Sequence, residues 1–330
     1  MRAIKGLTLL AVLATLGWGG YWFAGSRALD RAVTSALARD PAISAESHVI
    51  RGFPNRFDLT LDQPRVALPG GEWSAPFVQF FALTYRLNHL IAVFAQDQAL
   101  RINGVEALLH AEDLRASVVM EPGLDLPLDR VSLVGRDVVL TLNGDLHRME
   151  RLRLASRRLD ATTHEIVALA EAVFPAPALM DALDPQRDGP RRFDLLRMDS
   201  ELAFDRPLDR HLFDGPQPRL TGIALTGGRA AWEGVEIALS GRLTPDRAGA
   251  LSGEMNAAVT GWRVLLEVLR TSGSVDDQFH ALLAQTMETM AAGDEVLEIP
   301  LSVVAGEVRL GPLALGLLPR VLLGGQGLGR

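Results

Sequence analysis

The chain opens on a stretch without charge. From Gly6 to Gly25 every residue is apolar, aromatic, glycine or threonine. At 1.5 Å of rise per residue such a helix spans about 30 Å, the thickness of a bilayer hydrocarbon core. Leu29, Val33, Ala36 and Leu37 then recur at helical spacing, so the same helix is predicted to continue outward. Asp40-Pro41 ends it, because the residue before a proline is driven out of the helical region.

Period-two alternation takes over afterwards. Phe57, Leu59 and Leu61 alternate with Asp58, Thr60 and Asp62, the pattern of a half-buried strand. The same reading holds at Val131/Leu133, Val138/Leu140/Leu142, Leu152/Leu154 between Arg151 and Arg153, and Leu202/Phe204. It returns at Ile223/Leu225, Val235/Ile237/Leu239, Leu297/Ile299/Leu301 and Val308/Leu310. Asn143-Gly144, Gly227-Gly228 and Thr244-Pro245-Asp246 carry turn chemistry between these runs. Many short strands at close spacing predict hairpins and an antiparallel sheet.

Three helices are expected among the strands. Thr162 and Glu165 read as a capping box before Ile166, Leu169, Ala170, Val173 and Phe174, with Pro175 closing the helix. Trp262, Leu265, Leu266 and Leu269 make a second stripe, capped by Gly273. A third starts at Ser274, carries Phe279, Leu282, Leu283, Thr286, Met287 and Met290, and stops at Gly293. The expected fold class is therefore α+β: an N-terminal transmembrane helix, then a mainly antiparallel, elongated β-sheet domain with a few covering helices.

Arg2 and Lys5 precede the apolar run and orient it with the N-terminus in the cytoplasm. The rival is a cleaved signal peptide, with Ala24-Gly25-Ser26 as its small-residue site. The run is longer than the usual signal core of about 7–15 residues. Trp18, Tyr21, Trp22 and Phe23 gather at its far end, where amphipathic rings favour the headgroup layer. These features favour an uncleaved anchor over residues 1–26 and a periplasmic domain over residues 27–330. Pro127-Leu128-Asp129-Arg130 recurs as Pro207-Leu208-Asp209-Arg210, which raises the option of two similar halves within that domain.

Composition narrows the chemistry. The 330 residues are 48% hydrophobic and 22% charged, as in folded proteins. A formal charge of −7 argues against a general affinity for nucleic acid. There is no cysteine, which removes disulfides, thiolate nucleophiles, zinc–thiolate sites and iron–sulfur clusters. Lys5 is the only lysine among the 33 Lys and Arg residues, so the domain has none for a P-loop or a Schiff base.

His48, His89, His110, His147, His164, His211 and His280 form no compact metal-ligand spacing. Ser240 is the nearest approach to a nucleophile elbow, but Ala238-Leu239-Ser240-Gly241-Arg242 lacks the motif's first and last glycines and lies on a strand pattern. No glycine-rich dinucleotide fingerprint opens a helix. No catalytic, cofactor-binding or metal residue is assigned, and no cofactor is expected. Arg148, Arg151, Arg153, Arg157 and Arg158 form a basic stretch, read chiefly as a solvated strand face and otherwise as a contact for anionic lipid or an acidic partner. Gly52-Phe53-Pro54-Asn55-Arg56-Phe57-Asp58 reads as a register-setting strand entry, with Arg56, Asp58, Thr60 and Asp62 on one face. The stretch from Gly306 to Leu323, interrupted by Pro319 and Arg320, suits a closing strand or part of an apolar groove.

Taken in order, the Gly52–Asp58 string, Trp73-Ser74-Ala75-Pro76, Leu83-Thr84-Tyr85, the Pro207–Arg210 turn and Gly311-Pro312-Leu313-Ala314-Leu315-Gly316 resemble an uncharacterised bacterial family known only as domain of unknown function twenty-one twenty-five. That resemblance implies no catalytic residue. Trp232-Glu233-Gly234 through Gly241-Arg242-Leu243, followed by Gly249 to Gly253, looks like the repetitive sheet of AsmA-like envelope proteins. Those are membrane-anchored and associated with lipid transport or outer-membrane assembly, and their long members far exceed this chain. The expected function is a non-enzymatic inner-membrane protein that binds lipid or an envelope partner along an apolar sheet surface. The alternatives are an exported hydrolase with a site assembled from Asp, Glu and His, or a protein-binding scaffold using the anchor or the Met-bearing third helix.

Overall fold

A computed structural model describes residues 2–68, 70–183, 191–212, 217–232, 234–271 and 277–321. The apolar run and the amphipathic stretch after it form one unbroken helix, α1 (Arg2–Arg39). Its end is closed by Asp40, whose N–H donates to the Ala36 carbonyl at 3.0 Å and whose carboxylate accepts the Ala42 N–H at 2.9 Å.

The strands follow in chain order. They are β1 (Ile43–Ser44), β2 (Ser47–Arg51), β3 (Arg56–Asp62), β4 (Arg65–Leu68), β5 (Gly71–Ser74), β6 (Phe77–Leu83), β7 (Arg86–Phe94) and β8 (Asp97–Ile102). Longer ones come next: β9 (Val105–Met120), β10 (Leu128–Leu142), β11 (Asp145–Arg158), β12 (Thr163–Phe174), β13 (Phe193–Phe204), β14 (Leu220–Trp232), β15 (Val235–Pro245) and β16 (Leu251–Thr260). The last are β17 (Val296–Val304), β18 (Glu307–Leu310) and β19 (Leu313–Leu317). Helix α2 (Pro177–Leu183) follows β12, whereas α3 (Trp262–Thr271) and α4 (Asp277–Ala291) lie between β16 and β17.

These strands form one 19-stranded sheet in which the pairings among the described residues are antiparallel. With 56% strand against 23% helix, the α+β expectation holds. From β9 to β19 each strand pairs with the next. At β9 the sheet forks. Its first residues, from Val105 to His110, pair with β8, and its last, from Arg115 to Val119, pair with β7. One arm then runs β7–β6–β3–β2 and the other β8–β5–β4–β1.

A crease crosses the middle of the sheet. On β10 the inward positions are odd-numbered through Val131 and Leu133, then even-numbered through Val138, Leu140 and Leu142. The change occurs at Asp137, which takes a left-handed φ of 46°. Beside it the ladders pass over Glu112, Glu150 and Ala172, the last with φ 49°. The pairing register is the same on both sides, so the kink is shared by neighbouring strands, and it re-aims every following side chain. It lets Val138, Ala111 and Leu114 bury together with Leu133, Met149 and Leu152 around them.

Two expectations are corrected. Residues 163–174 form β12 and not a capped helix. Apolar side chains at nearly every position from Ile166 to Ala170 satisfy both periods, so the neighbours decide. β12 lies between β11 and β13 in full register, and Glu165 stands opposite Arg157, with which it pairs at 2.7 Å. The N–H groups of Thr162 and Thr163 are taken by the Asp160 carboxylate, each at 2.8 Å, which makes this a hairpin turn. Gly227-Gly228 is likewise no turn. It lies inside β14, where the register with β15 shifts between Leu225 and Gly228, a bulge.

Trp262, Leu265, Leu266 and Leu269 do fall on a helix, α3, and the third expected helix is α4. Gly273, Ser274, Glu233 and Leu323 lie outside the described residues. Beyond α4, Ala292 and Gly293 take φ of 49° and 96°, which stops the helix there. The C-terminal stretch supplies β18 and the closing strand β19. The recurring tetrapeptides meet: the Leu128 N–H donates to the Leu208 carbonyl at 2.7 Å. The first leads into β10, whereas the second leads into a 3-10 turn over Arg210–Leu212.

Candidate functional site

The antiparallel register sorts side chains onto two faces. One row of opposed residues begins at Ile50 on β2 and runs Leu59, Phe80, Ala92, Ala116, Leu133, Leu154, Ala168, Met198, Gly228, Leu239, Ala257 and Ile299. The next row on the same face passes through Leu114, Gly135, Leu152, Ala170, Leu196, Ala230, Ile237, Val259 and Leu297. Neither row contains a charged residue. The opposite face carries Arg115, Arg153, Arg197 and Arg229 in one row. Arg115, Arg197 and Arg229 are engaged by Asp113, Asp199 and Glu236 at 2.7, 2.6 and 2.6 Å.

The apolar face is covered at both ends, buries the Ala111, Leu114 and Val138 cluster at the crease, and is partly open across β11 to β15. At the far end α3 and α4 lay Trp262, Leu266 and Leu283 on Val235, Val259 and Leu297, with Phe279 and Met287 beside them. At the near end α1 packs against β2 and β3. Trp22 stacks on Phe57 at 6.1 Å between ring centroids and meets Phe53 edge-on at 5.4 Å. His48 binds Asp30 of α1 at 2.9 Å. Gly25 is required here, because a Cβ would stand 2.6 Å from Phe57 Cζ.

Between these covers lies a depression of about 400 Å³ across β11 to β15. Leu152, Ala168, Leu196, Met198, Ala230 and Leu239 line it. Large side chains alternate there with alanine and glycine, which lowers the floor. Met198 is 45% and Leu154 39% exposed, so the chain leaves this part of its apolar face open to an occupant. A larger hollow of about 910 Å³ adjoins it around Gly241, Met255 and Leu301, rimmed by Arg242 and Glu254.

Where the sequence pointed to chemistry, the structure shows packing. Ser240 lies on β15 beside that hollow. His164 is fully buried on β12, with Nδ1 3.3 Å from Ser156 Oγ, Phe204 edge-on at 6.4 Å and Nε2 without a partner. Burial, aided by the Arg158 charge, holds its pKa below the ordinary 6.5. His48 and His110 face Asp30 and Asp97, and His89 faces Ser117. Among the described residues no three His, Asp or Glu side chains gather as metal ligands.

The basic stretch lies on β11. Arg151 and Arg157 pair with Glu171 and Glu165 at 2.7 Å each, and Arg158 pairs with Glu121. The first two pairs are a cross-strand ladder on the solvated face, whereas Arg158 lies on the other face, opposite His164. On β3, Arg56 pairs with Asp58 at 2.8 Å and Asp62 with Ser47 at 2.6 Å, as the shared face anticipated. The docking of α1 was not foreseen. Its signal was present in the aromatics at residues 18–23 and in the Gly52–Phe57 string, but nothing in linear order says that they meet.

These features define a class: a single-sheet β domain with a partly open apolar face, joined to a helix long and apolar enough to cross a membrane. Residues 22–319 match the model of a family described as an uncharacterized protein conserved in bacteria, DUF2125. The chain belongs to that family. Comparison with curated proteins and with solved structures gives no match.

Proposed function

We propose that this is a non-enzymatic protein of the bacterial inner membrane, with its β domain in the periplasm, that binds lipid acyl chains along the apolar sheet face. The observation that carries the reading is continuity. Leu59, two residues along β3 from the Phe57 that stacks on Trp22 of α1, lies in a row through Phe80, Ala92, Ala116, Leu133 and Leu154 that runs into the floor at Ala168, Met198 and Leu239. An acyl chain is the occupant that such a surface suits beside a membrane-length helix. It brings no polar group needing a partner, and each buried methylene contributes about 0.8 kcal/mol. Eight buried methylenes would give roughly 6 kcal/mol, a Kd on the order of tens of micromolar, so a lipid that persists through purification must lay most of an acyl chain on the face.

The test is native mass spectrometry of the full chain extracted from bacterial membranes, with identification of co-purified lipid. The expected result is a stoichiometric lipid that is lost in Met198→Glu, while unfolding temperature changes little because Met198 is half exposed. A lipid-free wild type that stays lipid-free with added phospholipid would overturn the reading.

A further inference from the structure

We propose that the β domain rests on the bilayer through the β2–β3 and β6–β7 turns, which dip into the headgroup layer around α1. Both turns are fastened to the helix at the level of its aromatic residues. The Trp18 Nε1–H donates to the Pro54 carbonyl at 2.9 Å, and the Tyr21 hydroxyl donates to the Thr84 carbonyl at 2.7 Å. Next to those carbonyls stand apolar side chains that the fold does not bury: Phe53 is 59%, Tyr85 68% and Leu87 61% exposed. On the helix at the same level Phe23 is 58% exposed. Arg27 and Arg86 are exposed beside them and complement lipid phosphates.

Length fixes the depth. The charge-free run from Gly6 to Gly25 just covers a hydrocarbon core of about 30 Å. Trp18 lies seven residues inside its outer end, about 10 Å below Gly25. A turn bonded to Trp18 therefore reaches about 10 Å below the outer end of that run, at the deep limit of the roughly 5–10 Å to which interfacial apolar side chains bury. Phe53, Tyr85 and Leu87 are exposed in water but would be covered by lipid. The surface thus continues the helix's own membrane contact, and a bilayer is the occupant it fits.

The absence of cysteine permits a direct test on the full chain. Tyr85→Cys, Leu87→Cys and Leu146→Cys are each labelled with a nitroxide in liposomes of phosphatidylethanolamine and phosphatidylglycerol. Leu146, 45% exposed beside the Asn143-Gly144 turn at the opposite end of β10 from the β6–β7 turn, is the aqueous reference. Collision with oxygen, which concentrates in lipid, is compared with collision with a water-soluble nickel chelate. Labels at 85 and 87 are expected to favour oxygen at least several-fold relative to 146. Labels at 85 and 87 as open to nickel as 146 would overturn the proposal, and would leave those side chains to a protein partner. Both are surface positions, so folding is not at risk, and Phe53→Cys gives an independent reading on the second turn. The outcome does not depend on whether the sheet carries lipid.

Discussion

Trp22 donates its indole N–H to the carbonyl of Arg56 at 2.7 Å while its ring lies on Phe57. A residue inside the apolar N-terminal run is therefore part of the β domain's packing, and Trp22 is only 9% exposed. Gly52, whose φ of 103° no side chain tolerates well, turns the chain so that Arg56 and Phe57 can present this docking surface.

Trp22→Phe should lower stability by about 1 kcal/mol through the lost hydrogen bond, and Trp22→Ala by about 3–5 kcal/mol through the lost ring. Thermal unfolding of the full chain in detergent reads both. Equal, negligible effects would mean that α1 does not dock.

The same contact bears on processing. Ala24-Gly25-Ser26 lies within α1, with Gly25 against Phe57, and cleavage there would remove Trp18, Tyr21 and Trp22 from their partners. The chain isolated from membranes should keep its N-terminal segment, as an intact mass including residues 1–26 would show. A mass beginning near Arg27 would refute retention.

Acidification should weaken the fold through His164. Its folded pKa lies below 6.5, so the unfolded chain takes up the proton first. Its contribution is complete above about pH 6.5 and declines as pH falls from there toward the folded value. His164→Gln should flatten the fall in unfolding temperature between pH 7 and 5 relative to wild type. An unchanged slope would assign that sensitivity elsewhere.

Position should outweigh chemistry along the sheet. Leu297, with no exposed surface beneath α3 and α4, should cost about 2–5 kcal/mol as Leu297→Ala. Glu165→Ala, which breaks an exposed pair with Arg157, should cost less than about 1 kcal/mol. Chemical denaturation of both variants compares them directly, and a costlier Glu165→Ala would reverse the ranking.

Linear order alone determined the helix to Arg39, the antiparallel β-rich class, the Asn143-Gly144 hairpin and the α3 and α4 stripes. Each depends on local propensity, chain length or a repeating pattern that neighbours reinforce. Tertiary structure decided the rest. Residues 166–174 fit either period until β11 and β13 offered their edges, and Gly227-Gly228 became a bulge because flanking strands held the ladder across it. The crease through Asp137 flips the inward set in mid-strand, a change that only neighbours kinked at the same level can absorb. The apolar face was visible only as alternation, strand by strand. That its rows align from β2 to β17, with α1 at one end and α3 and α4 at the other, depends on register between distant segments, which no local pattern encodes.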